Sequence, residues 1–237
     1  MLIAIWHVYD VAFKVPPAVL PRPGMVLSSF LQNWRVIIEE GRVTLLASLY
    51  GFLLAFALGV PIAVAITSSR VLSLMFYPLL IATQSVPKVA LAPLILIWLG
   101  TGLTSKLAIA WLVAFFPIVV DTATGLRNTP ADLLDLAASV RASGFQTFCK
   151  IRFPAALPFI ISGSKVAITL AVIGAVIGEF IGSNDGLGNL MLVANSQINM
   201  PLAFAALFGL AILGVALYAA VVAVEWLLAP WFGDVTH

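Results

Sequence analysis

The 237-residue sequence predicts an all-α, polytopic membrane helical bundle with about five transmembrane helices and one short cytoplasmic helix between them. Three observations carry that prediction. Hydrophobic residues make up 62% of the chain and charged residues only 9%, against roughly 25% charged in soluble domains. Mean hydropathy is +1.12, more apolar surface than one soluble core of this length can hide. The apolar residues fall in long runs, not in the alternating strands of about 10 residues that build a membrane barrel. Lipid offers no partner to a free N–H or C=O, so these runs must be helices.

Crossing the hydrocarbon takes about 20 mainly apolar residues, and five stretches qualify. Residues 43–66 carry no charge. Residues 71–99 are long enough, but Lys88 interrupts them and Pro78, Pro87 and Pro93 break their regularity. Residues 107–120 lie between Lys106 and Asp121 and borrow Thr104 and Thr122 to cross. Residues 154–181 carry Lys165 near one end and Glu179 near the other. Residues 202–224 are uncharged and end at Glu225 and Trp226.

The first 42 residues differ. Residues 1–5 are apolar but too short to span, and they lack the basic start of a secretory signal. Pro16, Pro17, Pro21 and Pro23 predict an extended stretch. Over 28–40, Phe30, Leu31, Trp34 and Ile38 recur at helical spacing, which predicts an amphipathic helix lying in the membrane interface.

Charge asymmetry sets the orientation. The loop after the third span holds Arg127, Arg141, Lys150 and Arg152, whereas residues 182–200 contain Asp185 and no Lys or Arg. The positive-inside rule puts the first of these in the cytoplasm and the second outside. Alternation then places Arg70 inside, Lys106 outside and the C-terminus inside. It also places the lead segment outside, in conflict with its Lys14, Arg22, Arg35 and Arg42.

The cytoplasmic loop, 128–153, carries the most information. Thr129-Pro130-Ala131-Asp132 predicts a helix start, with Thr129 as N-cap, Pro130 in the first turn and Asp132 at the third position. Leu133, Leu136, Ala137 and Val140 then make an apolar stripe on a short helix. Gly144 is positioned to end it in the left-handed conformation. Phe145 and Phe148 begin a second stripe near Ile151, and Pro154 opens the next span. A stripe too short to cross must be buried on its own bundle, on lipid, or in a groove of another protein.

Asp135-Leu136-Ala137, then Arg141 six positions after Asp135, then Ile151-Arg152-Phe153-Pro154, resemble a known loop signature. It is that of binding-protein-dependent ABC transporter permeases, Glu-Ala-Ala, three residues, Gly, nine residues, Ile-x-Leu-Pro. Pro87-Lys88-Val89-Ala90-Leu91-Ala92-Pro93, Phe115-Phe116-Pro117, Pro154-Ala155-Ala156-Leu157-Pro158 and Gly186-Leu187-Gly188 are similar to the nitrate, sulfonate, taurine and thiamine-precursor branch. So is the lead Leu20-Pro21-Arg22-Pro23, which in that branch follows a first helix; a truncated start and a five-helix form both fit the sequence. Two of the departures from the signature matter. Asp135 stands for its Glu and Arg141 for its Gly, so the resemblance moves the turn to Gly144.

The resemblance implies a permease subunit in a bacterial inner membrane, with 1–42 as an extracytoplasmic or interfacial lead and 43–237 as the transmembrane permease domain. It implies three partners besides lipid: an ATP-binding subunit on the cytoplasmic side, an extracytoplasmic solute-binding protein, and a second permease copy. The ATPase-coupling residues would be Asp132, Leu133, Asp135, Leu136, Ala137, Val140, Arg141, Gly144, Ile151 and Pro154. The cargo would be a small solute of sulfonate, nitrate or thiamine-precursor type. The chain has no Gly-x-x-x-x-Gly-Lys-Ser/Thr loop to hold ATP itself.

Intramembrane charges nominate the path: Lys88, Lys165 and Glu179. Lys165 and Glu179 lie roughly 21 Å apart along one helix, so their alternative is to snorkel to opposite surfaces. Gly174 and Gly178 allow a close helix approach, and Asp185-Gly186 reads as an external turn. An ion-coupled secondary transporter is the alternative function and would use the same three charges, but no inverted repeat is evident. An intramembrane enzyme has little to build on. His7 and His237 sit at opposite ends of the chain, and Ser164 and Lys165 point about 100° apart on a helix. A single cysteine, Cys149, excludes an intrachain disulfide, and a net charge of +2 gives nucleic acid no footing. No catalytic residue, metal site or cofactor is predicted.

Overall fold

The apolar runs become helices that outreach the membrane. The computed structural model describes Trp6 and residues 16–229, apart from the side chains of Arg70 and Gln84, and every regular element among them is helical. In chain order these are α1 Pro23–Gln32, α2 Trp34–Ser68, α3 Arg70–Gln84, a 3₁₀ turn Lys88–Leu91 and α4 Ala92–Leu99. There follow α5 Leu103–Arg127, α6 Ala131–Ser139, α7 Gly144–Thr147, a π turn Phe148–Arg152, α8 Phe153–Gly182, α9 Leu187–Ser196 and α10 Met200–Leu228. The apolar start at 1–5, His7 and His237 lie outside the described residues.

Four continuous helices are long and apolar enough to cross: Trp34–Ser68, Leu103–Arg127, Gly144–Gly182 and Met200–Leu228. The fifth span is broken. Val71–Thr83 and Lys88–Leu99 are bent by 81°, because Pro87 has no N–H to continue the helix and biases Val86 away from it. Irregular backbone at membrane depth survives only against protein or a wet cavity.

The lead segment departs from expectation twice. Its prolines do not make a purely extended stretch, since the Val19 and Leu20 amides both bond the Pro16 carbonyl, closing a turn. Nor do residues 28–40 form one interfacial helix. Asn33 leaves the helix at φ −107° and ψ 17°, and its side-chain amide donates to the Ser29 carbonyl at 2.9 Å. The first half becomes α1, whose Val26 packs with Leu210 of α10, while the second half runs on into α2.

The core is built from small residues. A Cβ on Gly125 would meet Phe159, on Gly163 Asp121, on Gly174 Ala110 and on Gly178 Lys106. One number rises as the other falls, so α5 and α8 run antiparallel with backbones nearly touching. Gly51 against Ala110 and Gly59 against Ile118 rise together, so α2 and α5 run parallel. Ala47, Ala55, Ala110, Ala114, Ala167, Ala171 and Ala175 fill the three-helix seam. Lipid exerts no hydrophobic drive between helices, so this close packing must hold them together. At Gly174 the intruding Cβ would lie 2.8 Å from the Ala110 Cα, a backbone atom that cannot move aside. Gly174→Val should therefore cost about 3 kcal/mol and lower the melting temperature in detergent. Gly214→Val, with nothing within 4 Å, should not.

This register gives the bundle two ends. The starts of α2 and α5, the end of α8 and the loop into α9 share one end; α6 and α7 occupy the other. The lead segment therefore enters α2 on the side of the 183–199 loop, as alternation of spans requires and despite its basic residues.

Candidate functional site

At the α6 end, the helix starts at Ala131 after Pro130 (φ −54°, ψ 131°). Thr129 does not cap it. Its hydroxyl donates back to the Leu126 carbonyl at 3.1 Å, because Pro130 turns the chain before the threonine can reach forward. Asp132 sits in the first turn, where its charge suits the helix dipole. The stripe divides. Ala137 is only 4% exposed, while Leu133, Leu136 and Val140 stand outward, with Phe145 exposed just beyond them. Asp132 and Asp135 are also exposed.

The end of α6 is a Schellman closure built on the wrong residue type. The Ala142 amide bonds the Ala137 carbonyl at 2.9 Å and the Arg141 amide bonds Ala138 at 3.0 Å. That pattern puts the residue after the cap in the left-handed region, and Arg141 is there at φ 52°. Gly144 does not end the helix, correcting the sequence expectation; it opens α7. Ser143 caps that helix, accepting from the Gln146 amide at 3.2 Å while its own amide donates to Gln146 Oε1 at 2.9 Å. Ile151 is half-buried in the π turn, and Pro154 lies in the first turn of α8.

At the opposite end, Glu179 does not snorkel. It is 1% exposed and accepts from the Thr44 hydroxyl at 2.8 Å and the Gly188 amide at 2.7 Å. Thr44 accepts from the Leu187 amide at 3.0 Å, and Glu40 Oε2 accepts from the Gly186 amide at 2.5 Å. Two carboxylates thus satisfy orphan amides at the start of α9, where the helix dipole favours negative charge. Gly186, at φ 104°, is forced: a Cβ there would run into the Glu179 carboxylate. Alongside, Lys106 (1% exposed) ion-pairs with Asp185 and donates to its carbonyl at 3.0 Å. The Lys106 ammonium holds the Asp185 carboxyl below the ordinary aspartate range. Asp185 is therefore more than a turn residue.

Lys165 is likewise engaged, pairing with Glu225 of α10 at 2.6 Å. Lys88 lines a cavity of about 430 Å³ that also takes in Val86, Phe116, Pro117, Asp121 and Val166. The Lys88 ammonium lies 4.5 Å from the centre of the Phe116 ring. Asp121, absent from the sequence-derived candidates, reaches this cavity with its Cβ against Gly163. Its signal was available: a carboxylate inside the apolar reach of α5 costs about 2.5–3.5 kcal/mol unless it has a use. Treating it as the end of a span hid it. Among the described residues no three His, Cys, Asp or Glu side chains converge on a metal site.

Residues 55–232 match the model of the binding-protein-dependent transport system inner membrane component family. The chain belongs to this family. A probable ABC transporter permease of Haemophilus influenzae is 37% identical over 96% of this chain and 92% of its own length. The formylaminopyrimidine transport permease of Halalkalibacterium halodurans is 33% identical over 98% and 92%. A chain of the MetNI methionine ABC transporter, in inward-facing conformations, shares the fold at a TM-score of 0.64 and 18% identity, covering 81% of this chain and 96% of that one. This permease is thus a multi-pass inner-membrane protein and the membrane-spanning subunit of an ABC importer for a small solute.

Arg141 stands where the resembled loop signature has glycine, and its backbone is left-handed at φ 52°. An L residue with a Cβ loses roughly 1–2 kcal/mol there. Arg141→Gly is therefore expected to raise the melting temperature of the purified permease, equivalent to about 1 kcal/mol. An unchanged or lower value would show that the arginine side chain repays its strain.

Proposed function

We propose that this permease couples to a separate cytoplasmic ATP-binding subunit through α6, pairs with a second copy to enclose the path, and receives solute from an external binding protein. One observation carries the coupling: Leu133, Leu136, Val140 and Phe145 are exposed together around the buried Ala137, at the basic end of the bundle. Such a stripe in water calls for a groove on a partner. Residues 128–153 serve as the coupling loop, residues 1–42 as the external lead, and 43–237 as the permease domain.

The chain supplies no ATP site, so hydrolysis belongs to the partner. Closure of two ATPase subunits would draw the paired α6 helices together and rock the bundles between inward and outward openings. With about five spans each, two copies, or one copy and a relative, are needed to surround a path. The cargo is a small solute of sulfonate, nitrate or thiamine-precursor type. The pyrimidine kind is preferred, since a relative that matches end to end is named for a formylaminopyrimidine.

Mild-detergent extraction tests the assembly. An ATP-binding chain and two permease copies are expected to co-purify. A lone permease that moves solute unaided in liposomes would overturn the proposal.

A further inference from the structure

We propose that the cavity shared by Lys88, Phe116 and Asp121 is a recognition site for a planar, net-neutral heterocycle carrying a hydrogen-bond acceptor and a separate donor, an aminopyrimidine-like solute. The inference rests on reading the chain as an importer permease, and it assigns the path residues that reading leaves open.

The first argument is the state of the two charges. Lys88 and Asp121 line one cavity from different elements, the 3₁₀ turn and α5. Among the described residues neither makes an ion pair or a side-chain hydrogen bond. Elsewhere in this bundle intramembrane charge is consumed: Lys106 by Asp185, Lys165 by Glu225, Glu179 by Thr44 and the Gly188 amide. Two opposite charges held apart in one space are costly unless water or a solute sits between them. The Lys88 contact over the Phe116 ring, at 4.5 Å, is one a guest can displace.

The second argument is shape and chemistry. A volume of about 430 Å³ lies at the small end of ligand pockets, roughly 300–1,000 Å³. Phe116 offers a flat face for a ring. Pro117 has no amide proton for the Val113 carbonyl one turn earlier, and both residues line the cavity. The site therefore presents a donor at Lys88, an acceptor at Asp121 and an aromatic wall.

Charge decides among solutes. A simple anion gains Lys88 but meets Asp121, and a simple cation meets the reverse. A net-neutral ring with donor and acceptor edges satisfies both half-buried groups and leaves neither unpaired.

The test uses the full permease with its co-purified ATPase in nanodiscs, with and without ATP. Cys149→Ser removes the native thiol, and Val166→Cys, at the exposed rim of the cavity, introduces a reporter for N-ethylmaleimide. Saturating 4-aminopyrimidine is expected to slow labelling about fivefold or more, because only the empty fraction reacts. Ethanesulfonate should have no effect. Lys88→Met should abolish the pyrimidine's protection, and Asp121→Asn should admit ethanesulfonate. Equal protection by ethanesulfonate in the starting protein, labelling that 4-aminopyrimidine leaves unchanged, or a thiol that never labels would each overturn the proposal. Retention of the ATPase in the same preparation separates these outcomes from failure of the permease reading.

Discussion

Leu136→Glu is expected to abolish ATP-driven uptake while leaving the permease folded and in the membrane. Leu136 is 59% exposed, so the substitution costs the isolated chain little. Docked, the same side chain would be buried. Losing an apolar anchor forfeits about 1.5–3 kcal/mol, and forcing a carboxylate into the groove adds its desolvation cost. Together these weaken ATPase binding on the order of 100-fold or more. Pull-down of the ATP-binding subunit and uptake should fail together, with helix content unchanged. Ala137→Asp should also uncouple, by a different route. Ala137 is buried within the permease, so that variant should disturb α6 itself and lower the melting temperature. Normal uptake by Leu136→Glu would remove the stripe from the mechanism.

Glu179→Ala should be the most damaging single change at the other end, costing about 3–5 kcal/mol. It strips the acceptor from the Gly188 amide, then buried without a partner at about 1–3 kcal/mol, and leaves the Thr44 hydroxyl with its long 3.4 Å bond to the Glu40 carbonyl. It also empties space in a site that Gly186 and Gly188 shape around the carboxylate. Glu179→Gln keeps one carbonyl oxygen and should lose less than half as much. Melting temperature and yield in detergent measure both. If Glu179→Ala melts as the starting protein does, the start of α9 is held without this carboxylate.

Much of this was legible in the residues. The four unbroken spans could be read from their apolar runs because lipid leaves the backbone no alternative to a helix. The broken span was marked by Pro87 and Lys88. The loop helix showed through the spacing of Leu133, Leu136, Ala137 and Val140, and its signature through Ile151 and Pro154. The loop's ends were misread. Whether Thr129 or Pro130 takes the cap position of α6, and whether Arg141 or Gly144 takes the left-handed turn, is settled by differences of about a kilocalorie per mole that composition does not resolve.

Sequence by itself determined that this chain is a helical membrane protein of the importer-permease family, with a short amphipathic helix outside the bilayer. Only tertiary structure decided where the charges go. Glu179 meets Thr44, Lys106 meets Asp185 and Lys165 meets Glu225 across separations invisible to any local pattern, while Lys88 and Asp121 are left facing one cavity. The physical reason is one of range. Hydropathy acts residue by residue against the solvent, so it is written along the chain. A charge in lipid is stabilised only by a specific partner, and the packing of α8 against α2, α5 and α10 chooses that partner.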